Sequence, residues 1–322
     1  MGKTTLFRDK AECCGCEACV NVCPKKAIHM QEDECGFRYP CVDEDLCVEC
    51  GLCQKVCGYK YIEEHNEPMS AHVACTLSTD IMQSASGGVF ACLAQNIIEQ
   101  GGIVYGVSME LISDELVPMH IGVDKIEELV KLQGSKYVQS MIGDTYHQVK
   151  EQLLHGRKVL FSGTPCQVAG LKAYLGEMNK ENLLLVDIIC HGVPSVAFFQ
   201  SYIKELEKKY KGKITSFKFR DKSSGWGLVG RATYRTAKNK EKSKLVYARE
   251  SSFEKVARKN GQLRYPAETG DRRQLVLDMY VKGGYQEVDA WFRRKNFVKM
   301  PFVFVVDRIP VSLKKRIRRM LG

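Results

Sequence analysis

The chain has 322 residues, of which 44% are hydrophobic and 27% are charged, and its formal net charge is +10. This composition excludes collagen-like and intrinsically disordered proteins, and the length is sufficient for a packed core and two domains. No apolar stretch approaches the roughly 20 residues of a membrane-spanning helix, and the first residues lack the apolar core of a signal peptide. We therefore expect a cytoplasmic protein, in a compartment where thiols stay reduced.

Cysteine is concentrated near the start of the chain: 11 of the 15 cysteines lie between Cys13 and Cys57. An odd number of thiols in a reducing compartment predicts metal ligation rather than a disulfide framework. The spacing C-x2-C-x2-C-x3-C occurs twice, beginning at Cys13 and again 34 residues later at Cys47. Zinc sites use pairs of cysteines rather than four in one run, so the doubled spacing predicts two 4Fe-4S clusters.

In this spacing the first three cysteines of a run bind one cubane, and the fourth points to the other cubane. The predicted ligands therefore form two interleaved sets, Cys13, Cys16, Cys19 and Cys57 for the first, and Cys47, Cys50, Cys53 and Cys23 for the second. Three thiols fall outside the pattern and are interpreted as spare or buried side chains: Cys14, Cys35 and Cys41. Residues 1–66 resemble an α+β, ferredoxin-like dicluster domain, although Gly58 stands where that family usually has proline. A linker is predicted near residues 65–70.

Helices and strands are predicted to alternate from residue 70 to residue 236. The first helix covers 87–100, with Val89, Leu93 and Ile97 as its apolar face. The elements that follow are a strand over 103–107, a helix over 144–155, a strand over 158–161, a helix over 165–175 capped by Thr164, a strand over 183–189, a helix over 194–210 and a hairpin over 214–220 and 228–234. This alternation favours an α/β domain with a mostly parallel sheet covered on both faces.

Three segments rich in small and polar residues lie at junctions of these elements, at 84–88, 162–167 and 190–195. Ligands of open α/β sheets bind at the carboxyl ends of strands, and the N–H groups of helix starts can cradle a phosphate or a flavin pyrophosphate. The alternative is that these segments are ordinary glycine turns and Ser or Thr caps.

The body of the chain resembles the beta subunit of coenzyme F420 hydrogenase/dehydrogenase in four stretches: SASGGVFACLA, GSKYVQS, VLFSGTPCQVAGLKAYL and LLVDIICHGVPS. In that family a ferredoxin-like domain often precedes a flavin-binding α/β domain. The resemblance covers roughly residues 1–236. It implies an oxidoreductase that passes electrons between the 4Fe-4S clusters and FAD, and on to a deazaflavin such as coenzyme F420 or another small acceptor.

The resemblance also implies a set of flavin-site residues: Ser86, Gly87, Gly88, Lys136, Tyr137, Gly163, Thr164 and Gln167. Two residues are catalytic candidates, because Lys136 would place a positive charge near a reduced flavin and His191 would donate a proton. The alternatives are a surface lysine and an ordinary loop histidine. At the level of the whole chain, the alternative function is a non-catalytic electron-transfer subunit that delivers electrons to a partner protein.

Members of that family commonly carry further cysteines after the SSGWG-type segment. Together with the cysteines of TPCQ and CHG, these look like ligands of another 4Fe-4S cluster. Here the body supplies only Cys166 and Cys190 at these places, and two thiolates do not complete a four-cysteine site. We therefore predict that a third cluster is absent, and Cys166 is left as a candidate reactive thiol.

Residues 237–322 form a basic region of unknown role, with 22 Lys and Arg against 9 Asp and Glu. Helices are predicted over 278–295 and 311–321, and the second is basic and amphipathic. It is either a solvated terminal helix or a contact with an anionic membrane or an acidic partner. The expected partners are a redox protein, either a ferredoxin or a hydrogenase- or dehydrogenase-type subunit, and a small electron acceptor. Nucleic acid is not expected.

Overall fold

The structure is a computed structural model that describes residues 6–58, 70–77, 79–190, 192–223, 225 and 229–247, together with 282, 283 and 286. The first of these ranges holds the predicted dicluster domain. Its elements are α1 (Ala18–Val22), β1 (Ile28–Glu32), β2 (Arg38–Val42) and α2 (Leu52–Lys55). The two strands pair antiparallel, and one cysteine run lies on each side of this hairpin.

The body of the chain is built on a four-stranded sheet with the order β4-β3-β5-β6. Its elements are α3 (Val89–Glu99), β3 (Ile103–Ile112), β4 (Glu115–Val123), α4 (Thr145–Leu154), β5 (Val159–Gly163), α5 (Pro165–Leu175) and β6 (Leu183–Asp187). β3, β5 and β6 are parallel, whereas β4 is an antiparallel edge strand. The sheet is therefore mixed and mostly parallel, as the alternation of elements predicted.

A second sheet follows the first one in the chain. It comprises β7 (Gly212–Lys218), β8 (Val229–Thr236) and β9 (Glu241–Tyr247), is antiparallel throughout, and is preceded by α6 (Val196–Tyr210). The predicted hairpin corresponds to β7 and β8. Because β9 pairs with β8, this sheet continues past residue 236, where the sequence suggested a change of region.

In the body of the chain the sequence analysis missed the strands β4 and β9 and was wrong about one helix face. β4 follows a tight turn at Ser113 and Asp114, whose φ angles of 49 and 64° are typical of a two-residue hairpin turn. In α3 the buried residues are Ala91, Ala94 and Ile98. The predicted face is wrong because Val89 and Leu93 are exposed. This helix is apolar nearly all round, and its two small alanines allow the closest approach to the sheet.

Helix α5 begins where the sequence predicted, because Thr164 and Gln167 form a reciprocal capping box and Pro165 occupies the first helical position. The buried side chains along α5 pack with those of α4 and β5 in one core cluster that includes Tyr146, Phe161 and Leu171. Every helix in the described part of the chain is too short or too polar to cross a membrane.

Candidate functional site

The two cysteine runs fold into loops of the same shape. In the first run Gly15 and Glu17 flank the second cysteine with φ angles of 63 and 61°, and in the second run Glu49 and Gly51 do so with 53 and 74°. Left-handed residues on both sides turn the loop tightly, so that successive cysteines face the same centre. The internal repeat of the sequence is therefore also a repeat of backbone conformation.

The second predicted ligand set surrounds one cavity. Its wall contains all four cysteines of that set, together with apolar side chains: Cys23, Cys47, Cys50 and Cys53, with Ile28, Val42, Val48 and Leu52. Three of the cysteines come from the second run and Cys23 from the first. That these four bind one cluster stays a prediction. Four thiols in an apolar wall are a donor set suited to a 4Fe-4S cluster.

All four cysteines of the first predicted set are half-buried. Burial raises the pKa of the Cys19 thiol to about 12, and the nearby thiols of Cys13, Cys57 and Cys53 raise it further. Cys19 therefore lies near thiols of both runs, and the assignment of these four cysteines to one cluster stays a prediction.

Helix α5 packs directly against the loop of the first set. A Cβ placed on Gly170 would lie 3.2 Å from the Cys16 sulfur and 3.0 Å from the Tyr146 hydroxyl oxygen, so a larger residue would require these neighbours to shift. The Tyr146 hydroxyl oxygen lies 3.0 Å from the Cys16 carbonyl oxygen and 2.7 Å from the Gln167 carbonyl oxygen, and its single hydrogen is shared between these two acceptors. The loop of the first set therefore packs on α5, whereas Cys50 of the second set is exposed.

Glu17 ties the dicluster domain to the body of the chain, a role that the sequence analysis missed. Its carboxylate is buried, accepts from the backbone N–H of Gly143 at 3.0 Å and lies 3.5 Å from the Arg38 guanidinium. Burial raises the pKa of Glu17, against the opposing effect of Arg38. The equivalent position in the second loop is Gly51, so Glu17 adopts a backbone conformation that favours glycine. The contacts of its carboxylate with Gly143 and Arg38 offset this strain.

A second contact between the domains lies at the start of α6. The Ser195 hydroxyl donates to the Cys35 carbonyl at 2.6 Å, and it also accepts from the N–H of Phe198 as the helix cap. The turn between β1 and β2 lies so close to this helix that a Cβ on Gly36 would be 2.2 Å from the Cβ of Ala197.

We expect Gly36→Ala to destabilise the protein more than Gly101→Ala does. Both glycines have a positive φ, +73 and +77°, but a Cβ on Gly101 would meet nothing within 4 Å. The backbone strain is therefore matched, and the overlap with Ala197 should cost a further 1–3 kcal/mol, roughly the cost of overpacking a core. Thermal unfolding of the two variants under argon measures the difference, and equal losses would show that the turn does not pack on α6.

One connecting segment, residues 134–143, links the three segments that the sequence singled out. Gly134 lies beside the Gln83 carbonyl, next to the first of them. The Gln139 N–H donates to the Pro194 carbonyl at 3.1 Å in the third, and Ser140 accepts from the Gln167 side chain at 2.9 Å in the second. The fold therefore brings the three segments together along ten residues of chain.

Around the first segment, the predicted flavin-site residues have contacts within the protein. A Cβ on Gly87 would lie 2.6 Å from the Ala74 carbonyl oxygen, and one on Gly88 would lie 2.5 Å from the Thr76 side chain. The close approach of residues 74–76 thus accounts for both glycines. The Ser86 carbonyl accepts from Lys222, which is buried and also donates to the Ile81 carbonyl. The sequence analysis did not identify Lys222, because its contact with Ser86 joins residues 136 positions apart and arises only in the folded chain.

Lys136 and Tyr137 lie on the connecting segment. The Lys136 ammonium donates to the carbonyls of Lys131 and Gln133 at 2.9 and 2.7 Å, and burial lowers its pKa to about 7. The Tyr137 ring packs edge-on against Phe219, with 5.5 Å between ring centroids. Lys136 is thus desolvated, and it titrates near neutral pH.

The second segment carries the remaining predicted flavin-site residues, Gly163, Thr164 and Gln167. Gly163 ends β5, and the Gln167 side chain accepts from the N–H and the hydroxyl of Thr164. Next to them, the Cys166 sulfur lies 3.1 Å from the Thr164 hydroxyl oxygen. The thiol of Cys14 shares hydrogen bonds with Cys16 and with Cys166, and the bond to Cys16 together with burial raises its pKa to about 12.

His120 continues this polar network into the interior. The imidazole stacks on Phe161 with 5.2 Å between centroids, and its two nitrogens lie 3.2 Å from the Ser162 carbonyl oxygen and 3.5 Å from the Ser140 hydroxyl. Burial lowers the pKa of His120 to about 4, so the ring is neutral at physiological pH. Its place on the missed strand β4 hid it from the sequence analysis.

We expect His120 to make the protein less stable as the pH falls. In the unfolded chain it takes up a proton below about pH 6.5, but in the folded chain only near pH 4, so stability is lost across that window. The full loss is on the order of 3 kcal/mol, by about 1.4 kcal/mol per unit. Urea unfolding at about pH 7 and pH 5.5 should show a smaller pH effect in His120→Gln than in His155→Gln, an exposed control. Equal pH effects would argue against a buried neutral ring.

Three sequence-based predictions lie outside the described residues: the catalytic role of His191, the linker near 65–69 and the helix over 311–321. Of the helix predicted over 278–295, the structure describes only residues 282, 283 and 286, and these three are helical. Cys190, the neighbour of His191, is half-buried, and its sulfur accepts from the Gly192 N–H at 3.3 Å. The absence of a third cluster stays a prediction.

Comparison with known proteins identifies both parts of the chain. Residues 12–61 match the family described as 4Fe-4S dicluster domain. Residues 156–263 match the family described as the C terminus of the coenzyme F420 hydrogenase/dehydrogenase beta subunit. The second match includes α5, α6 and all three strands of the second sheet.

Among the relatives, the coenzyme F420-dependent sulfite reductase of Methanocaldococcus jannaschii is 28% identical over 51% of this chain and 25% of its own length. The 7Fe ferredoxin of Hydrogenibacillus schlegelii is 42% identical over 12% of this chain and 45% of its own length. The chain therefore spans a quarter of the reductase and less than half of the ferredoxin. The solved F420-reducing [NiFe] hydrogenase complex of Methanosarcina barkeri aligns with 53% of this chain and 60% of its own, at 17% identity and a TM-score of 0.35.

The cysteine loops thus lie in a segment similar to the 4Fe-4S dicluster family. Helices α5 and α6 lie in a segment similar to the C terminus of the coenzyme F420 hydrogenase/dehydrogenase beta subunit.

Proposed function

We propose that this chain is an iron-sulfur oxidoreductase subunit that transfers electrons between a partner protein and a flavin, FAD, held by the α/β body. The 4Fe-4S clusters supply single-electron transfer when bound, and the flavin couples it to two-electron chemistry. The chain's own residues bind the clusters and the flavin and fix their relative positions. The final acceptor is a small molecule, with a deazaflavin of the coenzyme F420 type as the first candidate.

The observation that carries the proposal is that one cysteine of each predicted set faces a different side: Cys50 faces solvent and Cys16 faces α5. Cys50 of the second set is exposed, and Leu46 and Val48 beside it are also exposed, so a partner protein can approach this side. The first set faces the body of the chain, since Cys16 packs against Gly170 of α5. Electrons that enter at the second set would therefore leave towards the start of α5.

The flavin part of the proposal depends on what surrounds the connecting segment. Lys222 donates to the Ser86 carbonyl in the loop before α3, and Lys136 lies two residues after Gly134, which is beside the Gln83 carbonyl of that loop. Desolvation lowers the pKa of both lysines. In their protonated forms they attract an anion. The starts of α5 and α6 lie along the same connecting segment, and helix starts favour a phosphate. Residues 74–76 occupy the space beside Gly87 and Gly88, so these two glycines are not part of the proposed phosphate site.

The experiment that tests the function is a count of cofactors. The chain is purified without oxygen, reconstituted with iron, sulfide and FAD, and desalted. We expect about eight iron atoms, at four per cubane, and about one flavin per chain. Intact clusters without retained flavin would leave the second candidate function, a carrier that delivers electrons to a partner protein. The exposure of Cys50 favours this candidate also.

Lys136→Ala tests the proposed site for the flavin phosphates. We expect it to lose most of the bound FAD, because a desolvated cation that faces an anionic ligand contributes more than a surface charge. Lys131→Ala is the matched control, since Lys131 is an exposed lysine five residues away that pairs with Glu128. Flavin content after desalting is the measurement, and equal retention in both variants would remove Lys136 from the site.

A further inference from the structure

One end of the second sheet carries a concentration of positive charge. It consists of residues 205–213, at the end of α6 and the start of β7, and residues 235–244, which run from the end of β8 through a turn into β9. Together these two segments, here called the basic end, hold nine lysines and arginines against three glutamates. All nine cations are exposed: Lys208, Lys209, Lys211, Lys213, Arg235, Lys238, Lys240, Lys242 and Lys244.

The fold brings the two segments of the basic end together. Strands β7 and β8 pair in a register that places Lys213 directly opposite Arg235. The ring of Tyr210, the last residue of α6, stacks on that of Tyr234 in β8, with 5.2 Å between ring centroids. The end of α6 and the turn between β8 and β9 are therefore held side by side, and their charges add at one place on the surface.

Contacts within the protein neutralise little of this charge. In the described part of the chain, two of the nine cations pair with a carboxylate, Lys208 with Glu205 at 3.0 Å and Lys213 with Glu207 at 3.3 Å. Like charges directly opposite each other, as in Lys213 and Arg235, destabilise a sheet. The dipole of α6 favours cations at its last turn, but its effect does not extend to the turn between β8 and β9. The stability of the fold therefore does not account for the basic end.

The composition of the basic end indicates which anionic surface it fits. Eight of its nine cations are lysines, and none of the large hydrophobic side chains that are exposed in the described ranges lies in 205–213 or 235–244. Protein interfaces are depleted in lysine and depend on apolar or aromatic anchors. Single-stranded nucleic acids are bound by stacking on aromatic side chains. Anionic lipid headgroups require neither kind of contact, because their surface potential alone attracts lysine.

We propose that the basic end is a docking surface for an anionic membrane, and that phospholipid headgroups contact the lysines at the end of α6 and in the turn between β8 and β9. The start of α6 contacts the dicluster domain through Ser195 and Cys35, and the 15 residues of the helix span about 22 Å. The membrane therefore binds at the end of α6 that is remote from the dicluster domain. This inference depends on neither the clusters nor the flavin, so it stands independently of the proposed function.

Flotation with lipid vesicles tests the proposal. The full reconstituted chain is mixed under argon with vesicles of phosphatidylcholine alone, or of phosphatidylcholine and phosphatidylglycerol, and the bound fraction is measured as NaCl is increased. We expect binding to the anionic vesicles alone, and weaker binding as the salt concentration rises, because salt screens exposed charges. Binding to neither kind of vesicle, or to both kinds equally, would overturn the proposal.

Two matched double variants locate the contact. Lys238→Gln with Lys240→Gln removes two charges from the basic end, and Lys125→Gln with Lys172→Gln removes two exposed lysines elsewhere in the body. Each lysine at an anionic surface strengthens binding roughly fivefold, so the first variant should bind the vesicles roughly 25-fold more weakly. The second should bind as the unmodified chain does. Thermal unfolding of both variants checks that the fold is unchanged.

Three other outcomes contradict the proposal. Equal weakening in the two double variants would indicate a general attraction by net charge. Residues 311–321 are also basic, so Lys314→Gln with Lys315→Gln is measured in parallel. Loss of vesicle binding in that variant, with full binding after the changes at Lys238 and Lys240, would assign the contact to that segment. A DNA duplex that displaces the chain from the vesicles, and whose own binding depends on Lys238 and Lys240, would identify a nucleic-acid surface instead.

Discussion

Replacing Cys50 with serine should lower the iron content from about eight to about four atoms per chain, the loss of one cubane. Cys50 is exposed, so the change leaves the core undisturbed. It removes one of the four sulfurs around the cavity of the second predicted ligand set. A hydroxyl is a much poorer iron ligand than a thiolate at neutral pH. Iron and sulfide analysis of the reconstituted variant measures the loss. Cys41→Ser, in the same domain but outside both predicted sets, should keep the full content.

Double variants test whether the two sets are interleaved. Cys23→Ser combined with Cys50→Ser removes two ligands of one predicted cluster, so about four iron atoms should remain. Cys57→Ser combined with Cys50→Ser removes one ligand from each cluster, and the iron should be lost entirely. If the first pair lost all its iron and the second kept half, each run would bind its own cluster, contrary to the cavity that Cys23 shares with the second run.

Glu17→Ala should be the most destabilising single change at the domain boundary, by about 3–5 kcal/mol, the cost of breaking a buried ion pair. It removes the acceptor of the Gly143 N–H and leaves the guanidinium of Arg38 without its carboxylate. Glu17→Gln should cost less, because an amide oxygen can still accept from the backbone. Urea unfolding of the reconstituted protein gives the free energies.

The control for Glu17 is Glu34→Ala. Glu34 belongs to the same domain and pairs with a lysine as Glu17 pairs with an arginine, but it is exposed. Exposed pairs contribute little, so this variant should unfold almost as the unmodified protein does. If the two alanine variants were equally stable, the boundary would not depend on the buried carboxylate.

The dicluster domain was predictable because ligation chemistry fixes a spacing in the sequence, and residues 12–61 match that family. C-x2-C-x2-C-x3-C leaves little freedom in how the loop closes, whereas the cluster that each cysteine binds stays a prediction. The start of α5 was predictable for a similar reason, since Thr164, Pro165 and Gln167 carry a local capping signal. In these cases the determining interactions lie within a few residues of each other.

What the sequence did not reveal depends on contacts between distant residues. Glu17 looks like a surface residue of a loop until Gly143 is placed against it, 126 residues later. His120 was hidden because β4 pairs at an edge, where an alternating strand gives only a weak pattern. In α3 the choice between the Val89 and Ala91 faces depends on how near the sheet lies, which hydrophobic periodicity does not encode.

The hydrogen bond from Ser195 to the Cys35 carbonyl also bears on how the chain is made. It joins residues 160 positions apart, so the ribosome completes the first cysteine loops long before the helix on which they rest exists. Chains fold from the N-terminus as they emerge, at about 5–20 residues per second. The small domain must therefore hold its cysteines in place for several seconds without α5 or α6. During that interval the loop of the first set has no α5 to pack on, whereas in the folded chain Cys16 lies against Gly170 of that helix.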